Sequence, residues 1–272
     1  MSLPEQFGPY ELHELINSGG MADLFLATDE QKQALAIRRL QNKGAFDFTS
    51  KKRFLRGCEI LSQIHDHQFV IGYITHGKIS GSYFLAMEYI EGNNLKLLAA
   101  ENDSVLAENI GSVLIESAQA IEHVHDSGFI HLDFKPENLV LSRNAALRLV
   151  DFDLSIPKPD APIKTKNNPG TPAYMSPEQL LRQPIDHRVD IWAYGVTAFE
   201  LLTGAKPFPG ETAEDIVRLQ LTRNTFKNPR DLNPDIPAAM EKIILKCLEQ
   251  DPEKRYPFAS VLVRDLQAAL YV

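Results

Sequence analysis

The stretch His131–Leu141, HLDFKPENLVL, puts an Asp, a Lys, a Glu and an Asn within six residues and then turns apolar. Two further carboxylates, Asp151 and Asp153, follow in the tripeptide DFD. Side chains of these types suit phosphoryl transfer. That reaction asks for positioning, for neutralisation of charge by a metal and for a group that orients the nucleophile, and for little covalent chemistry. Whether this run can do so depends on what the rest of the chain places around it.

The chain has 272 residues, enough for one large domain or two lobes, and its apolar fraction of 44% can fill a core. A net charge of −8 argues against nucleic acid as a main partner. Cys58 and Cys247 lie far apart and read as buried thiols without a role. The opening residues lack the basic and apolar regions of a signal peptide. The most apolar run, IWAYGVTAFELLTG, is too short for a bilayer and contains Glu200. The expectation is a cytoplasmic protein that engages neither membrane nor nucleic acid.

Residues 10 to 40 read as strands, because YELHELI and DLFLATD alternate and ALAIRRL follows a polar turn. Residues 50 to 64 read as a helix with Ser50 as N-cap and Phe54, Ile60, Leu61 and Ile64 on its apolar face. FVIGYITHGKISGSYFLAMEYIEG reads as two strands joined by a glycine-containing hairpin. Beyond residue 91 the pattern becomes helical. Ile110, Val113, Leu114, Ile121 and Val124 trace one face, and Gly128 fits its stop. Further helices are expected over Trp192–Leu202, ending at Gly204, and over roughly residues 237 to 250. Residues 154 to 177 carry six prolines and no periodicity, which reads as a long loop that is functional or disordered, its proline-rich part a stiff exposed stretch or a docking strand. The fold expected is α+β with two lobes: a small strand-rich part with one helix, residues 1–91, and a larger helical part, residues 92–272.

HLDFKPEN is similar to the protein kinase catalytic loop H-R-D-L-K-P-E-N. DFD stands thirteen residues past Asn138, where that family has D-F-G. GTPAYMSPEQ, VDIWAYGVTAFELLTGAKPF and DPEKRYPFAS resemble, in order, its later segments, and the GGM of NSGGMA resembles the bacterial serine/threonine type. The match runs from about residue 10 to residue 270.

The resemblance implies a bilobal kinase-like fold with ATP and Mg²⁺ as ligands held between the lobes. It makes Asp133 the catalytic base and Lys135 the residue that offsets phosphate charge, and it puts Asn138 and Asp151 at the metal. Leu24, Ala36 and Val140 would sandwich adenine, Met87 would be the gatekeeper, and Glu88–Ile90 the hinge. Leu61, Tyr73, His131 and Phe152, anchored by Asp190, would form an apolar column. Glu178 and Arg255 would form a structural pair.

Departures from the family cluster in the first lobe. Arg38 stands where its third strand has lysine, on the same strand face as Ala36, with Arg39 pointing away. Arg keeps the charge but not the shape. The partner glutamate of the following helix falls at Gly57, and Glu59 faces away because two residues turn a helix by roughly 200°. Asn17 and Ala22 replace the outer glycines of the phosphate loop, with Gly19 kept. Leu132 replaces an Arg that reads activation-loop phosphate, so phosphorylation control of that kind is not expected. A buried cation without its anion costs about 3–5 kcal/mol. Without nucleotide, Arg38 is therefore expected within roughly 4 Å of Asp151 or Asp153, where it would plug the metal site.

These losses favour a pseudokinase, or a very slow serine/threonine kinase, that binds ATP and works through a protein partner. The alternative is an active serine/threonine kinase, because Asp133, Lys135, Asn138 and Asp151 all survive. Transfer of another group, such as nucleotidyl, is a third class.

Overall fold

The computed structural model describes residues 3–41, 48–165 and 169–270. The chain divides into two compact units, residues 1–91 with Asp151–Asp153, and residues 92–150 with 154–272. This is the bilobal α+β architecture of protein kinases, a sheet lobe with one helix followed by a larger helical lobe.

In the first unit, β1 (Glu5–Phe7), β2 (Tyr10–Ser18), β3 (Ala22–Thr28) and β4 (Ala34–Leu40) precede α1 (Phe48–Ile64), and β5 (Tyr73–Ile79) and β6 (Ser82–Glu88) follow it. Among the described residues they form an antiparallel sheet in the order β1-β2-β3-β4-β6-β5. Paired residues across such a sheet share a face. Phe25, Ile37 and Ala86 therefore lie on one side, in a core cluster with Phe7, Tyr10, Leu12 and Phe84. Leu24, Arg38 and Leu85, with Leu26, Ala36 and Met87, line the other. The hairpin between β5 and β6 turns at Ser80 and Gly81, both with positive φ, as a two-residue turn matched to strand twist requires. Helix α1 begins two residues before Ser50, so Ser50 sits inside its first turn and is not the cap.

Arg39 does point to the opposite face from Arg38, but not into solvent. Only 7% of it is exposed. Its Nη1 donates to Glu5 Oε1 at 2.8 Å, and its guanidinium lies over Phe25 and Phe7, with 4.7 and 5.4 Å to the ring centroids.

The second unit opens with β7 (Gly92–Asn94), α2 (Leu95–Glu101) and α3 (Ser104–Asp126). Asp103 caps α3, its side chain accepting from the Leu106 N–H, and the left-handed Gly128 follows its end. Then come β8 (Phe129–Ile130), β9 (Leu139–Ser142), β10 (Leu147–Leu149) and β11 (Ile156–Pro157), and the helices α4 (Pro177–Leu180), α5 (Arg188–Thr203), α6 (Ala213–Thr222), α7 (Pro229–Leu232), α8 (Ala238–Cys247) and α9 (Ala259–Leu270). Helix α5 is apolar all round and almost wholly buried, with Gly204 as its left-handed C-cap. It starts four residues earlier than the apolar run suggests, because its first turn carries Asp190 inward. The proline-rich loop is partly structured: β11 pairs with β8, and Ile163 bridges Ile185. Residues 166–168 of that loop lie outside the described residues.

No helix among the described residues is long and apolar enough to cross a membrane. No cluster of three or more His, Cys, Asp or Glu among them is placed to hold a metal. Cys58 and Cys247 are free and buried. Burial, with the negative charge of Asp153, pushes the Cys58 thiol up to about 12, which keeps it an unreactive thiol.

Candidate functional site

Residues 131–138 stand between β8 and β9, held by α5. Asp190, completely buried, accepts from the backbone N–H of His131 (2.8 Å) and of Leu132 (2.9 Å) and pairs with His125 Nε2 at 2.9 Å. Burial alone would raise its pKa, yet these hydrogen bonds and the nearby imidazoles hold its carboxyl below the ordinary range. The grip fixes Leu132 at φ +66°, a conformation a bulky residue adopts only when its surroundings impose it.

The side chains that follow converge. Lys135 Nζ donates to Asp133 Oδ2 and to Thr171 Oγ1, both at 2.8 Å. Thr171 Oγ1 in turn reaches Asp133 Oδ1 at 3.4 Å. Asn138 Nδ2 donates to the Asp133 carbonyl at 2.8 Å and to Oδ2 at 3.1 Å. With its nitrogen so engaged, Asn138 turns its amide oxygen to other uses. Thr171 is the residue that sequence reasoning did not single out. Its signal was present in the GT of GTPAYMSPEQ, but the contact joins residues 36 apart.

In the first unit, Arg38 projects from β4 on the same face as Leu24, Ala36 and Met87. Its Nη1 and Nη2 donate to Asp153 Oδ1 and Oδ2 at 2.9 and 2.7 Å, a bidentate pair. The same nitrogens reach Asp151 Oδ1 and Oδ2 only at 3.4 and 3.5 Å, the outer limit of a hydrogen bond. Both expected carboxylates therefore attend Arg38, and Asp153 is the dominant one. Asp153 has 4% of its side chain exposed, Asp151 35%.

Burial by itself would lower the Arg38 pKa; the charges of Asp151 and Asp153 and the hydrogen bond to Asp153 raise it instead. Burial likewise pushes the Asp153 carboxyl above its ordinary value, against the pull of Arg38 and with a push from Asp151. The two values rise for different reasons: the cation gains two anions, and the anion loses water.

Helix α1 supplies the floor. Phe54 lies under the Arg38 guanidinium at 5.6 Å, and Arg56 Nη2 donates to the Asp153 carbonyl at 3.1 Å. A Cβ at Gly57 would stand 2.6 Å from Asp153 Oδ1, 2.9 Å from its N and 3.0 Å from its Cα. The helix has no carboxylate there, as expected, but the position is occupied: Asp153 fills it. Asp151, at φ +65°, carries the chain into this contact.

Two glycines in helices thus predict opposite signs. Gly111→Ala in α3 meets nothing within 4 Å and should stabilise by about 0.5–1 kcal/mol through helix propensity. Gly57→Ala gains the same propensity but forces backbone apart, a cost of about 1–3 kcal/mol. Urea melts should move the two variants in opposite directions from the parent, and a stabilised Gly57→Ala would contradict the packing described.

Near the phosphate-loop segment, Ser18 Oγ and Gln41 Nε2 both donate to Asp23 Oδ1 at 2.6 Å, and the Gly19 N–H closes a turn onto the Ala22 carbonyl at 3.0 Å. The segment between β2 and β3 is therefore tied by its own hydrogen bonds. Glu88 accepts from the Gly72 N–H at 3.1 Å, which orients the end of β6 just before Tyr89 and Ile90. Val140 lies on β9, paired with Asn94 and Arg148.

Magnesium binds through one or two protein oxygens plus phosphate oxygens, so a carboxylate and an amide oxygen meet its needs without a third carboxylate. Asp151 in the first unit is a half-exposed carboxylate of that kind, and Asn138 in the second, with its amide nitrogen engaged elsewhere, an amide of that kind.

A sheet lobe with one helix followed by a larger helical lobe defines the protein kinase fold. Residues 10–266 match the protein kinase domain family, and the chain belongs to it. It is similar to the serine/threonine-protein kinase PrkC of Bacillus subtilis, 31% identical over 266 residues, covering 96% of this chain and 40% of that protein. It also resembles a protein of Streptomyces coelicolor named as a probable serine/threonine-protein kinase, 31% identical over 270 residues, with 97% and 40% covered. The chain spans about two fifths of the length of these curated relatives.

Proposed function

We propose that the chain is an active serine/threonine protein kinase domain, transferring the γ-phosphate of ATP to hydroxyls of a protein substrate in the cytoplasm. The observation that carries this reading is the closed network of Asp133, Lys135, Thr171 and Asn138. Drift without function has no reason to preserve three polar side chains, Lys135, Thr171 and Asn138, bonded to one carboxylate.

In this reading Asp133 accepts the proton of the substrate hydroxyl as it attacks. Lys135 holds Asp133 in place and offsets charge on the moving phosphoryl group. Thr171 ties both to the segment that follows. Asn138 and Asp151 hold Mg²⁺, which neutralises charge on the phosphate oxygens. Leu24, Ala36 and Val140 enclose the adenine, Met87 bounds it, and the backbone of Glu88–Ile90 reads its edge. The similarity to proteins named as serine/threonine kinases supports the same choice.

A second reading, a pseudokinase that binds ATP and acts through a protein partner, rests on the Arg38–Asp151 contact, which engages a carboxylate the metal requires. The two part on a simple measurement. Labelled γ-phosphate from Mg·ATP should appear on serine or threonine, on the chain itself or on added peptides. A parent chain that never transfers label defeats the kinase reading. Mg·ATP at about 100 times its dissociation constant should add about 2.7 kcal/mol of stability. In melting temperature that is roughly 5–11 °C, and Asp151→Ala should abolish it.

A further inference from the structure

Arg38, Gly57 and Asp153 each break the family pattern, and in the structure they meet at a single point. We propose that Asp153 is the positioning residue for Arg38, the carboxylate that aims its guanidinium at the phosphates of a nucleoside triphosphate, and that Gly57 is glycine because it admits Asp153. The ion pair that the family builds between strand and helix is here built between β4 and the segment Asp151–Asp153. This deepens the proposed function and rests on the same nucleotide reading.

The three substitutions explain one another. A guanidinium has five N–H donors in a planar fork. Asp153 takes two of them along one edge, at 2.7 and 2.9 Å. The same two nitrogens reach Asp151 only at 3.4 and 3.5 Å, and 17% of the side chain stays exposed. An ammonium has no second edge and could not be held by one anion and presented to another in a fixed plane. Arginine at 38 is thus the cation suited to a carboxylate arriving from this direction.

That carboxylate reaches Arg38 only because α1 is bare at Gly57. Any side chain there would displace the Asp153 backbone as well as its Oδ1. The pair is further enclosed by Phe54 beneath the guanidinium and by Arg56 on the Asp153 carbonyl. Because Asp153 satisfies Arg38 at short range, Asp151 is engaged only at 3.4–3.5 Å.

A corollary concerns α1. In the family the helix contributes the anion, so moving the helix breaks the pair. Here it contributes shape and the Arg56 hydrogen bond, and the pair is complete without a carboxylate from it.

The test is a double-mutant cycle on nucleotide affinity, read with a fluorescent ATP analogue and Mg²⁺ in the full chain. Residues that orient a binding group without touching the ligand typically matter about 10–100-fold. Asp153→Asn, which keeps the shape, should weaken Mg·ATP by that amount, and so should Arg38→Met. The double variant should be no weaker than the worse single, since the two act as one unit. The sign is diagnostic. Removing a negative charge near a polyanion site would by Coulomb's law tighten binding, whereas loss of positioning weakens it.

Unchanged or tighter binding in Asp153→Asn overturns the proposal, as do additive effects in the cycle or a parent chain that binds no Mg·ATP. If the parent binds nucleotide, gives the non-additive cycle and yet transfers no phosphate, the positioning role stands and the kinase reading falls. A purely structural Asp153 would lower the melting temperature of the variant and leave its nucleotide affinity intact, which also counts against the proposal.

Discussion

Asp133→Asn is expected to lower phosphate transfer by about 10²–10⁴-fold, the usual contribution of a positioned general base. Each tenfold step corresponds to about 1.4 kcal/mol of transition-state stabilisation. The substitution is nearly isosteric, and an amide cannot take up the proton. The surroundings should survive it. Lys135 keeps its 2.8 Å hydrogen bond to Thr171, Asn138 keeps the Asp133 backbone carbonyl, and Asp190 still clamps His131 and Leu132. The melting temperature and the affinity for Mg·ATP should therefore stay close to those of the parent, while initial rates of labelled transfer collapse. A variant that keeps more than about a tenth of the parent rate would remove Asp133 from the role of base, since that is below the smallest effect such bases show.

Arg255→Met should be the most damaging substitution for stability. Arg255 is 2% exposed. Its Nη1 and Nη2 donate to Glu178 Oε1 and Oε2 at 2.6 and 2.8 Å, its Nε to the Glu249 carbonyl at 2.8 Å, and the terminal nitrogens also to the Arg188 and Gln250 carbonyls at 3.2 Å. The guanidinium lies 5.0 Å from the Trp192 ring centroid. One side chain thus fastens α4, the start of α5 and the end of α8. Methionine fills similar volume but leaves Glu178 charged, buried and without its cation. Breaking a buried pair on one side costs about 3–5 kcal/mol. For a chain of this size that is roughly 6–20 °C in melting temperature. Calorimetry on the parent, Arg255→Met and the pair Arg255→Met with Glu178→Met checks it. The double variant should recover much of the loss, because it removes the stranded charge. A single variant within a degree or two of the parent would mean the pair carries little.

Much of the fold was legible because its signals are local. Alternation in ALAIRRL put Ala36 and Arg38 on one face, and the strand register agrees. Counting back from Ile60 and Leu61 found Gly57 as the position facing the site, and Gly57 does face Asp153. Caps were less certain. Ser50 looked like the start of α1 because it precedes an apolar face, yet the helix begins before it. The short α2 and the amphipathic α6 and α9 escaped notice, since a few helical turns carry little periodicity against the noise of surface residues.

The sequence by itself determined which groups are present and which strand or helix face each one occupies, because backbone periodicity and glycine or proline chemistry act over a few residues. It put Asp133, Lys135, Asn138 and Asp151 at the positions where the family has its catalytic and metal-binding groups, and a cation, Arg38, where the family has a lysine paired to a helix glutamate. Only the tertiary structure decided the partners: that Thr171 closes the network around Asp133, that Arg39 is buried against Glu5, and that Asp153 grips Arg38 more closely than Asp151 does. These contacts join residues 34 to 115 apart. At such separations the choice between two carboxylates is made by packing, here by a missing Cβ on α1, and no local pattern records it.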